Sequence, residues 1–360
     1  MKIIIAPSKY IQGKDALKEL TKYGKVFGKK FLILADEFVT NLTKDLIVEG
    51  NSNEDVELSF ALFNGECSKN EINRISEIVK ENGSDVIVGV GGGKTLDTAK
   101  AVAHYTKLPV IIAPTLASTD APTSALSVIY TDSGVFDEYL LLPKNPEIVL
   151  MDTEVIANAP TRLLVSGMGD ALATYYEARV CYAAKAVAMA GGQPTMSAMA
   201  LATLCKNTLF ERGYAAKLSS DANIASEAFE EVVEANTYLS GIGFESTGIA
   251  AAHAIHNGFT AIEDCHHLYH GEKVAYGTIA QLVLENAPSE EIQKVIDFCQ
   301  LIGLPTTLVE MGVKGNLEEK MRIVAEASCA EGETIHNFPY EITPAMVYDA
   351  ILLADKLGQR

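Results

Sequence analysis

The sequence predicts an α/β N-terminal domain with a Rossmann-like parallel sheet, followed by an all-α helical-bundle domain. In residues 1–159, short β-branched segments alternate with amphipathic stretches, which is typical of a parallel sheet with right-handed crossovers. In residues 160–360, the chain is rich in Ala, Leu, Glu and Met and has long periodic segments that favour packed helices. We therefore place the domain boundary between residues 159 and 160.

Four segments of the first half have the length and β-branched composition of buried strands. These predicted strands are Phe31–Ala35, Val56–Phe63, Asp85–Val90 and Leu108–Ala113. Apolar residues spaced by three and four predict a helix over 71–80, and a second helix is expected over 95–104. In the second half, periodic segments predict long helices over 170–190 and 197–211.

The composition excludes several classes of protein. The net charge of -18 would repel a nucleic-acid backbone, so we expect no nucleic-acid partner. The six cysteines include no Cys-x-x-Cys pair, which excludes a four-cysteine zinc site and suits free thiols in a reducing compartment. No apolar run approaches the ~18 residues of a membrane span. We expect a cytoplasmic enzyme that does not associate with membranes.

A glycine-rich loop after the third predicted strand is the first candidate ligand site. Gly91, Gly92 and Gly93 come between this strand and a predicted helix, so backbone N–H groups are available for a phosphate. Two known templates fail, however. Gly89 lies one residue too close to Gly-Lys-Thr for a Walker A loop, and Lys94 occupies the place of the last Rossmann glycine. The glycines could equally form only a tight turn.

Two other predicted strands are followed by polar candidates. Asp36 follows Phe31–Ala35, and a carboxylate at this position can accept hydrogen bonds from both hydroxyls of an adenosine ribose. The alternative is that Asp36 only caps the next helix. The segment Thr115–Tyr130 is dense in hydroxyl groups, as ligand-contacting loops of α/β proteins often are, and its one acid is Asp120.

Five of the seven histidines are clustered, which predicts a metal site because imidazole is the commonest protein ligand of zinc. They are His253, His256, His266, His267 and His270. The first two share a face of a predicted helix that Gly258 interrupts, whereas His266 and His270 are one helical turn apart. Spacing does not decide which two are ligands.

The third metal ligand should be an acid, since His104 and His336 are isolated in the sequence. Asp170 is the best candidate, because it is predicted at a helix start, after two glycines that permit close approach. A helix-capping role for Asp170 is the alternative.

Seven motifs together resemble the glycerol dehydrogenase family, the zinc-dependent branch of the iron-containing alcohol dehydrogenase superfamily, and this resemblance spans the whole chain. They are residues 7–13, 89–101, 117–122, 167–174, 241–246, 251–259 and 266–275. The resemblance implies the dehydroquinate synthase-like fold and the ligands Asp170, His253 and His270 for Zn²⁺. Thr174 stands where the iron-binding branch has a histidine.

The resemblance also implies the residues that contact NAD and substrate. With the glycine loop, the expected NAD contacts are Asp36, Gly91, Gly92, Gly93, Lys94, Thr95, Leu96, Asp97, Thr115, Leu116, Ala117, Ser118, Ser124, Leu126 and Tyr130. Asp120 matches the family's substrate-contacting acid, and we expect Phe244, His253 and His256 to line the same site. Leu116 departs from the asparagine common in relatives, and the interval between the two histidine ligands is one residue shorter than in some.

The expected reaction is the reversible, NAD-dependent oxidation of glycerol to dihydroxyacetone, with Zn²⁺ acting as a Lewis acid on the vicinal diol. His256 could relay a proton or be purely structural. The first alternative is a glycerol-1-phosphate dehydrogenase or a related alcohol dehydrogenase or synthase of the same superfamily. The second is a non-catalytic NAD- or metal-binding protein. The resemblance also implies a homo-oligomer, in many relatives an octamer.

Overall fold

The first half of the chain is built on a parallel sheet. The structure is a computed structural model that describes residues 1–52 and 54–360. The strands are β1 (Lys9–Gly13), β2 (Lys30–Ala35), β3 (Glu57–Leu62), β4 (Val86–Gly91), β5 (Val110–Pro114), β6 (Leu126–Tyr130), β7 (Phe136–Leu141) and β8 (Ile148–Asp152). Six form one sheet in the order β1-β8-β5-β4-β2-β3, while β6 and β7 form a separate antiparallel hairpin. The predicted parallel sheet is confirmed.

Helices cover both faces of this sheet. They are α1 (Leu20–Gly24), α2 (Glu37–Gly50), α3 (Lys69–Asn82), α4 (Gly93–Thr106) and α5 (Thr153–Ala157). Along β2, Leu32 and Leu34 belong to one hydrophobic core and Ile33 to another, as expected for a strand buried on both sides. The two helices predicted over 71–80 and 95–104 are present as α3 and α4, each slightly longer than predicted.

The strand order reverses between β2 and β4, and this reversal locates the ligand crevice. From β2 the chain proceeds to β3 at one edge, and from β4 it proceeds through β5 toward the other. In open α/β sheets, ligands bind beyond the carboxyl ends of the strands at such a point. Here those ends are Ala35 and Gly91, next to Asp36 and the glycine loop.

The second half is helical. Its helices are α6 (Thr161–Ala184), α7 (Met196–Asp221), α8 (Glu227–Glu234), α9 (Ser240–Thr247), α10 (Ala251–Phe259), α11 (His270–Leu284), α12 (Ser289–Ile302), α13 (Leu317–Ser328) and α14 (Pro344–Gly358). Residues 235–239 form a π-helical turn between α8 and α9. Among the residues that the structure describes, no helix is both long and apolar enough to span a membrane.

Three local expectations were wrong. Asp170 does not begin a helix but lies well inside α6, because the helix starts after Pro160. Gly258 does not interrupt α10, which continues to Phe259. His266 and His270 do not share a helix, since His266 follows a short 3-10 turn and His270 is the first residue of α11.

Candidate active site

The glycine loop joins β4 to α4 and leaves the N-terminus of the helix accessible. Gly91 has a φ of +141°, a conformation that side-chain-bearing residues rarely adopt, and its carbonyl accepts a hydrogen bond from Thr115 N at 3.1 Å. Gly92 caps α4 without a side chain, and a Cβ on Gly93 would meet nothing within 4 Å. No side chain among the described residues caps the start of α4, and the first N–H groups of a helix have no partner within it, so this end suits a phosphate.

Asp36 lies beside this loop at the end of β2. Its Oδ1 accepts a hydrogen bond from Val39 N at 2.8 Å, so the capping alternative is confirmed. The side chain is half-buried at the reversal of strand order. The ribose-binding role stays a prediction for the same carboxylate.

Several residues expected to contact NAD have side chains that are buried or already engaged in contacts within the protein. Leu96 is buried in the core. Asp97 accepts a hydrogen bond from Val128 N at 3.1 Å and pairs with Lys100 at 2.9 Å. The buried Ser124 hydroxyl donates to Ala121 O. These residues can meet a dinucleotide through backbone groups.

The other expected NAD contacts lie around the loop. Lys94 pairs with Glu66 at 2.6 Å and lies 5.0 Å from the centre of the Tyr130 ring, so both residues line one side. Leu116 approaches Gly92, since a Cβ there would be 3.7 Å from Leu116 Cδ2. Thr95, Thr115 and Ala117 are buried, whereas Ser118 and Leu126 are partly exposed.

A three-residue cluster suitable for a metal ion lies in the helical half. Asp170 Oδ1 is 3.3 Å from His253 Nε2 and 3.2 Å from His270 Nε2, and the three ligand atoms lie within 4.8 Å of one another. Asp170 Oδ1 is buried, and apart from these two imidazole contacts it has no hydrogen-bond partner among the residues that the structure describes. A carboxylate oxygen and two imidazole nitrogens that converge in this way fit a divalent cation such as Zn²⁺.

The electrostatics of the cluster keep Asp170 charged. Burial by itself raises the pKa of this carboxyl, but the adjacent His270 and His253 outweigh burial and hold the pKa below its ordinary value. A buried carboxylate that stays ionised needs a cationic partner. A metal cation bound at Asp170 would be such a partner.

Glycines allow the helices that carry these ligands to approach closely. A Cβ on Gly169 would lie 2.3 Å from Gly271 O, and one on Gly271 would lie 1.8 Å from Ser166 O. These contacts join α6 to α11 and bring Asp170 beside His270. Gly277 makes a similar approach to Ala252 O, which joins α11 to α10.

Each histidine ligand has a partner on its other ring nitrogen. His253 Nδ1 is 2.6 Å from Glu177 Oε2, and Glu177 is fully buried two helical turns after Asp170. His270 Nδ1 is 3.0 Å from His256 Nε2. Burial lowers the pKa of His256, and the neighbouring His270 lowers it further, so His256 is neutral. Such partners fix the ring orientation of a metal ligand.

Asp120 lies beside the three candidate metal ligands, Asp170, His253 and His270, across the interface between the two halves. Its backbone N–H donates to Asp170 Oδ2 at 3.3 Å, and its carboxylate accepts a hydrogen bond of 2.6 Å from Ser240 Oγ. Ser240 Oγ is also 2.7 Å from Thr174 Oγ1. Burial raises the pKa of Asp120 well above its ordinary value, and the charge of Asp170 adds to this effect.

The remaining sequence candidates divide into two groups. Phe244 is buried one turn after Ser240 on α9. His266 and His267 are exposed and contact the carbonyls of Thr260 and Asp264, outside the metal cluster.

Several residues around the candidate metal ligands were not predicted from the sequence. They are Glu177, Ser240, Asn257 and Glu333. Only Glu177 had a usable signal, because it lies seven residues after Asp170 and therefore on the same face of a helix.

The chain is similar to known proteins over its whole length. Residues 7–153 match the model of the family described as iron-containing alcohol dehydrogenase. Over 360 residues, covering 100% of this chain and 99% of the relative, the sequence is 58% identical to glycerol dehydrogenase from Citrobacter freundii. It is 43% identical to glycolaldehyde reductase from Halobacterium salinarum, over 99% of this chain and 97% of that protein.

The solved structures include a near match of the whole fold. The crystal structure of glycerol dehydrogenase from Schizosaccharomyces pombe superimposes with a TM-score of 0.96 at 42% identity, covering 100% of this chain and 91% of that chain. The same arrangement of a parallel sheet followed by a helical half is therefore present in an experimental structure.

Proposed function

This chain belongs to the glycerol dehydrogenase family, and from that premise we propose that it oxidises glycerol to dihydroxyacetone with NAD as the oxidant and Zn²⁺ as the metal. The secondary carbon of glycerol gives a hydride to the nicotinamide and its hydroxyl proton goes to solvent. The products are dihydroxyacetone, NADH and one proton, and the reaction is reversible. The observation that carries the proposal is the convergence of Asp170 Oδ1 with the Nε2 atoms of His253 and His270.

These three residues would hold the metal and leave coordination positions for substrate oxygens. A metal bound there supplies Lewis acidity, which lowers the pKa of an alcohol as it lowers that of water. Two imidazoles and one carboxylate suit Zn²⁺ and also Fe²⁺. We propose Zn²⁺ because Thr174 stands where the iron-binding branch of the superfamily has a histidine. Glu177 holds the imidazole of His253 so that Nε2 remains available to the metal.

Asp120 is positioned to bind a hydroxyl group of the substrate. It adjoins Asp170 through its own backbone N–H, while Ser240 fixes one oxygen of its carboxylate. A carboxylate held in this way can accept a hydrogen bond from a polyol and orient the carbon that loses hydride. Phe244 would contribute an apolar wall from α9 that excludes water.

The cofactor would lie between the glycine loop and the metal cluster. The N-terminus of α4 would bind the pyrophosphate. Asp36 would bind the adenosine ribose by accepting hydrogen bonds from its hydroxyl groups. Asp36 would also repel the additional phosphate of NADP, which favours NAD. The nicotinamide would then reach the cleft that Asp120 and the metal ligands line.

Phosphorylated substrates are disfavoured by how the arginines of the helical half are used. A phosphate-binding site needs cationic groups free to meet the ligand. Three candidate arginines instead pair with carboxylates: Arg162 with Glu272, Arg179 with Glu285 and Glu291, and Arg212 with Glu231. This supports glycerol over glycerol 1-phosphate.

We also propose a cytoplasmic location and a homo-oligomeric assembly for the protein. All six cysteines are unpaired thiols, and five of them are buried, which suits a reducing compartment.

The test is NADH formation by the purified protein with NAD and glycerol, before chelation, after chelation and after Zn²⁺ is restored. We expect activity to disappear with the chelator and return with zinc. Glycerol 1-phosphate replaces glycerol in a parallel assay and should give little NADH. A zinc-loaded protein that forms NADH only from the phosphorylated substrate would refute the proposal, and one that forms none would favour a non-catalytic protein.

A further inference from the structure

The two histidine ligands are held in different ways. His253 meets a buried carboxylate directly, since its Nδ1 is 2.6 Å from Glu177 Oε2. His270 meets another imidazole, that of His256, at 3.0 Å. An imidazole is a weaker anchor than a carboxylate unless it is itself fixed. The surroundings of His256 therefore decide how firmly His270 is held.

A series of hydrogen bonds leads from His256 to a carboxylate. His256 Nδ1 is 3.0 Å from Asn257 Oδ1, and the Asn257 amide donates to both carboxylate oxygens of Glu333 at 3.2 and 3.1 Å. If His270 Nε2 is free to bind a metal, its Nδ1 carries the proton and donates to His256 Nε2. The proton of His256 is then on Nδ1 and donates to Asn257. Every donor in the series meets an acceptor.

The segment that carries Glu333 is fixed to the helix that carries His253 and His256. Thr334 Oγ1 donates to Ala250 O at 2.7 Å, and Asn337 Nδ2 donates to Ile249 O at 2.8 Å. Both carbonyls lie immediately before α10. The carboxylate of Glu333 is thus held at a defined position relative to the metal cluster, although its side chain is only partly buried.

We propose that Asn257 and Glu333, acting through His256, are positioning residues that orient His270 for metal binding. The inference rests on the proposed function, because it requires a metal at the cluster of Asp170, His253 and His270. It assigns His256 a structural role, since both of its ring nitrogens are engaged and neither is left for the substrate.

The test measures the dissociation constant of Zn²⁺ from the full chain by competition with a chelator of known affinity. We expect Glu333→Ala and Asn257→Ala to weaken zinc binding by a few-fold up to about 10-fold. The effect should be smaller than the loss of about 10- to 100-fold on removing a direct partner of a ligand, because both residues act through His256. Glu333→Gln keeps an oxygen that can accept from Asn257 and should restore most of the affinity. The absorption spectrum of the Co²⁺-substituted protein should change in the two alanine variants, because ligand geometry changes.

The matched control is Glu331→Ala, which removes the same charge from an exposed position in the same segment. This variant should bind zinc as wild type does. The inference is overturned if Glu333→Ala and Asn257→Ala bind zinc with wild-type affinity, if Glu331→Ala weakens binding equally, or if the alanine variants lose NAD affinity in parallel. Should Asn257→Ala fail to fold, Glu333→Ala and Glu333→Gln decide the question. A wild-type chain that binds no divalent metal would refute the proposed function itself.

Discussion

The carboxylate of Asp120 is held from behind by two hydroxyl groups in series. Ser240 Oγ donates to Asp120 Oδ2 at 2.6 Å, so its proton is used, and Thr174 Oγ1 must donate in the contact of 2.7 Å between the two hydroxyls. All three side chains are buried. Because neither hydroxyl is free to rotate, the carboxyl group of Asp120, our proposed substrate contact, keeps a fixed orientation.

We expect Ser240→Ala to raise the KM for glycerol about fivefold, since a typical hydrogen bond contributes about 0.5–1.5 kcal/mol. The KM for NAD should stay unchanged, because Ser240 contacts no part of the glycine loop. Steady-state kinetics with each substrate varied in turn measures both values.

Variants at Thr174 provide the matched pair for this prediction. Thr174→Val removes the hydroxyl at constant shape and should raise the KM for glycerol, whereas Thr174→Ser keeps the hydroxyl and should resemble wild type. If the KM for glycerol is the same in Ser240→Ala and wild type, the Ser240 hydroxyl does not position Asp120 for substrate binding.

The thiols are a second feature of single residues. Burial raises the pKa of Cys67 and Cys299 to about 12 and that of Cys265 and Cys329 to about 11. Only the thiolate reacts with alkylating agents, and an unperturbed cysteine is half ionised at about pH 8.5. The folded protein therefore holds these thiols in the unreactive form at neutral pH.

We expect iodoacetamide to label native protein slowly at about pH 8.5 and to label all cysteines quickly in urea. The rate for native protein should rise with pH, first at Cys329, which combines a smaller pKa shift with partial exposure. Mass spectrometry of the labelled peptides identifies the sites. Rapid labelling of Cys67 at neutral pH would contradict the burial described here.

How far single residues were predictable depends on what their type reveals. The histidine cluster and Asp170 were recognisable because few other roles explain five neighbouring histidines, and the structure brings Asp170, His253 and His270 together. Ser240 and Glu333 could not be found, because serine and glutamate are common and their importance depends on contacts across long sequence separations. The assignment of ligands among the histidines came from the family resemblance and not from spacing.

At the scale of elements, α4 and α9 pack on either side of the segment from Asp120 to Leu126, which lies between the glycine loop and the candidate metal ligands. Lys100 on α4 donates to the carbonyls of Ala121 and Leu126, and Glu245 on α9 accepts from Ala125 N at 2.6 Å. Glu245 also accepts from Asn145 Nδ2 at 2.5 Å. The segment from Asp120 to Leu126 is therefore fixed from the α/β half and from the helical half.

We expect Glu245→Ala to destabilise the protein by about 1–3 kcal/mol, because two buried donors lose their acceptor. Glu245→Gln keeps one acceptor oxygen and should lose less. Urea unfolding followed by circular dichroism measures both. Equal stability of Glu245→Ala and wild type would mean that the contact between α9 and this segment contributes nothing.

Elements were predictable where the local pattern is strong. The central strands match the predicted ones, because a strand buried on both faces must be apolar throughout. Helix α3 matches the prediction from its apolar residues at spacings of three and four. The strand β1 contains few apolar residues and pairs only with a distant segment, so its pattern gave no signal. The start of α6 was misplaced because Gly167 and Gly169 suggested a loop, whereas they serve close contacts of the helix with Ala117 and Gly271.

At the scale of the whole molecule, the proposed metal ligands and the glycine loop belong to different halves of the chain. The ligands come from α6, α10 and α11, whereas the loop and Asp36 come from the parallel sheet. The metal-binding half and the half that we expect to bind NAD can therefore be altered separately.

We expect His253→Ala to abolish turnover and zinc binding while NAD affinity stays near that of wild type. Removal of zinc from wild type should lower the melting temperature, since a ligand at about a thousand times its dissociation constant stabilises a fold by about 4 kcal/mol. Calorimetry and NAD titration by fluorescence measure these effects. His266→Ala is the control, because this exposed histidine lies outside the metal cluster. Joint loss of zinc and NAD binding in a folded His253→Ala protein would contradict this separation.

The pairing of β1 with β8 governs how the chain reaches this structure during synthesis. Lys9 pairs with Ile148, so β1 can join the sheet only after almost the entire α/β half has been synthesised. Contacts between distant segments slow folding, because a long loop must close before they form. Until then, the backbone N–H and C=O groups of β1 have no strand partner, and they are at risk of pairing with another chain. The edge strand β1 is thus synthesised before the other strands of the sheet but joins the sheet after them.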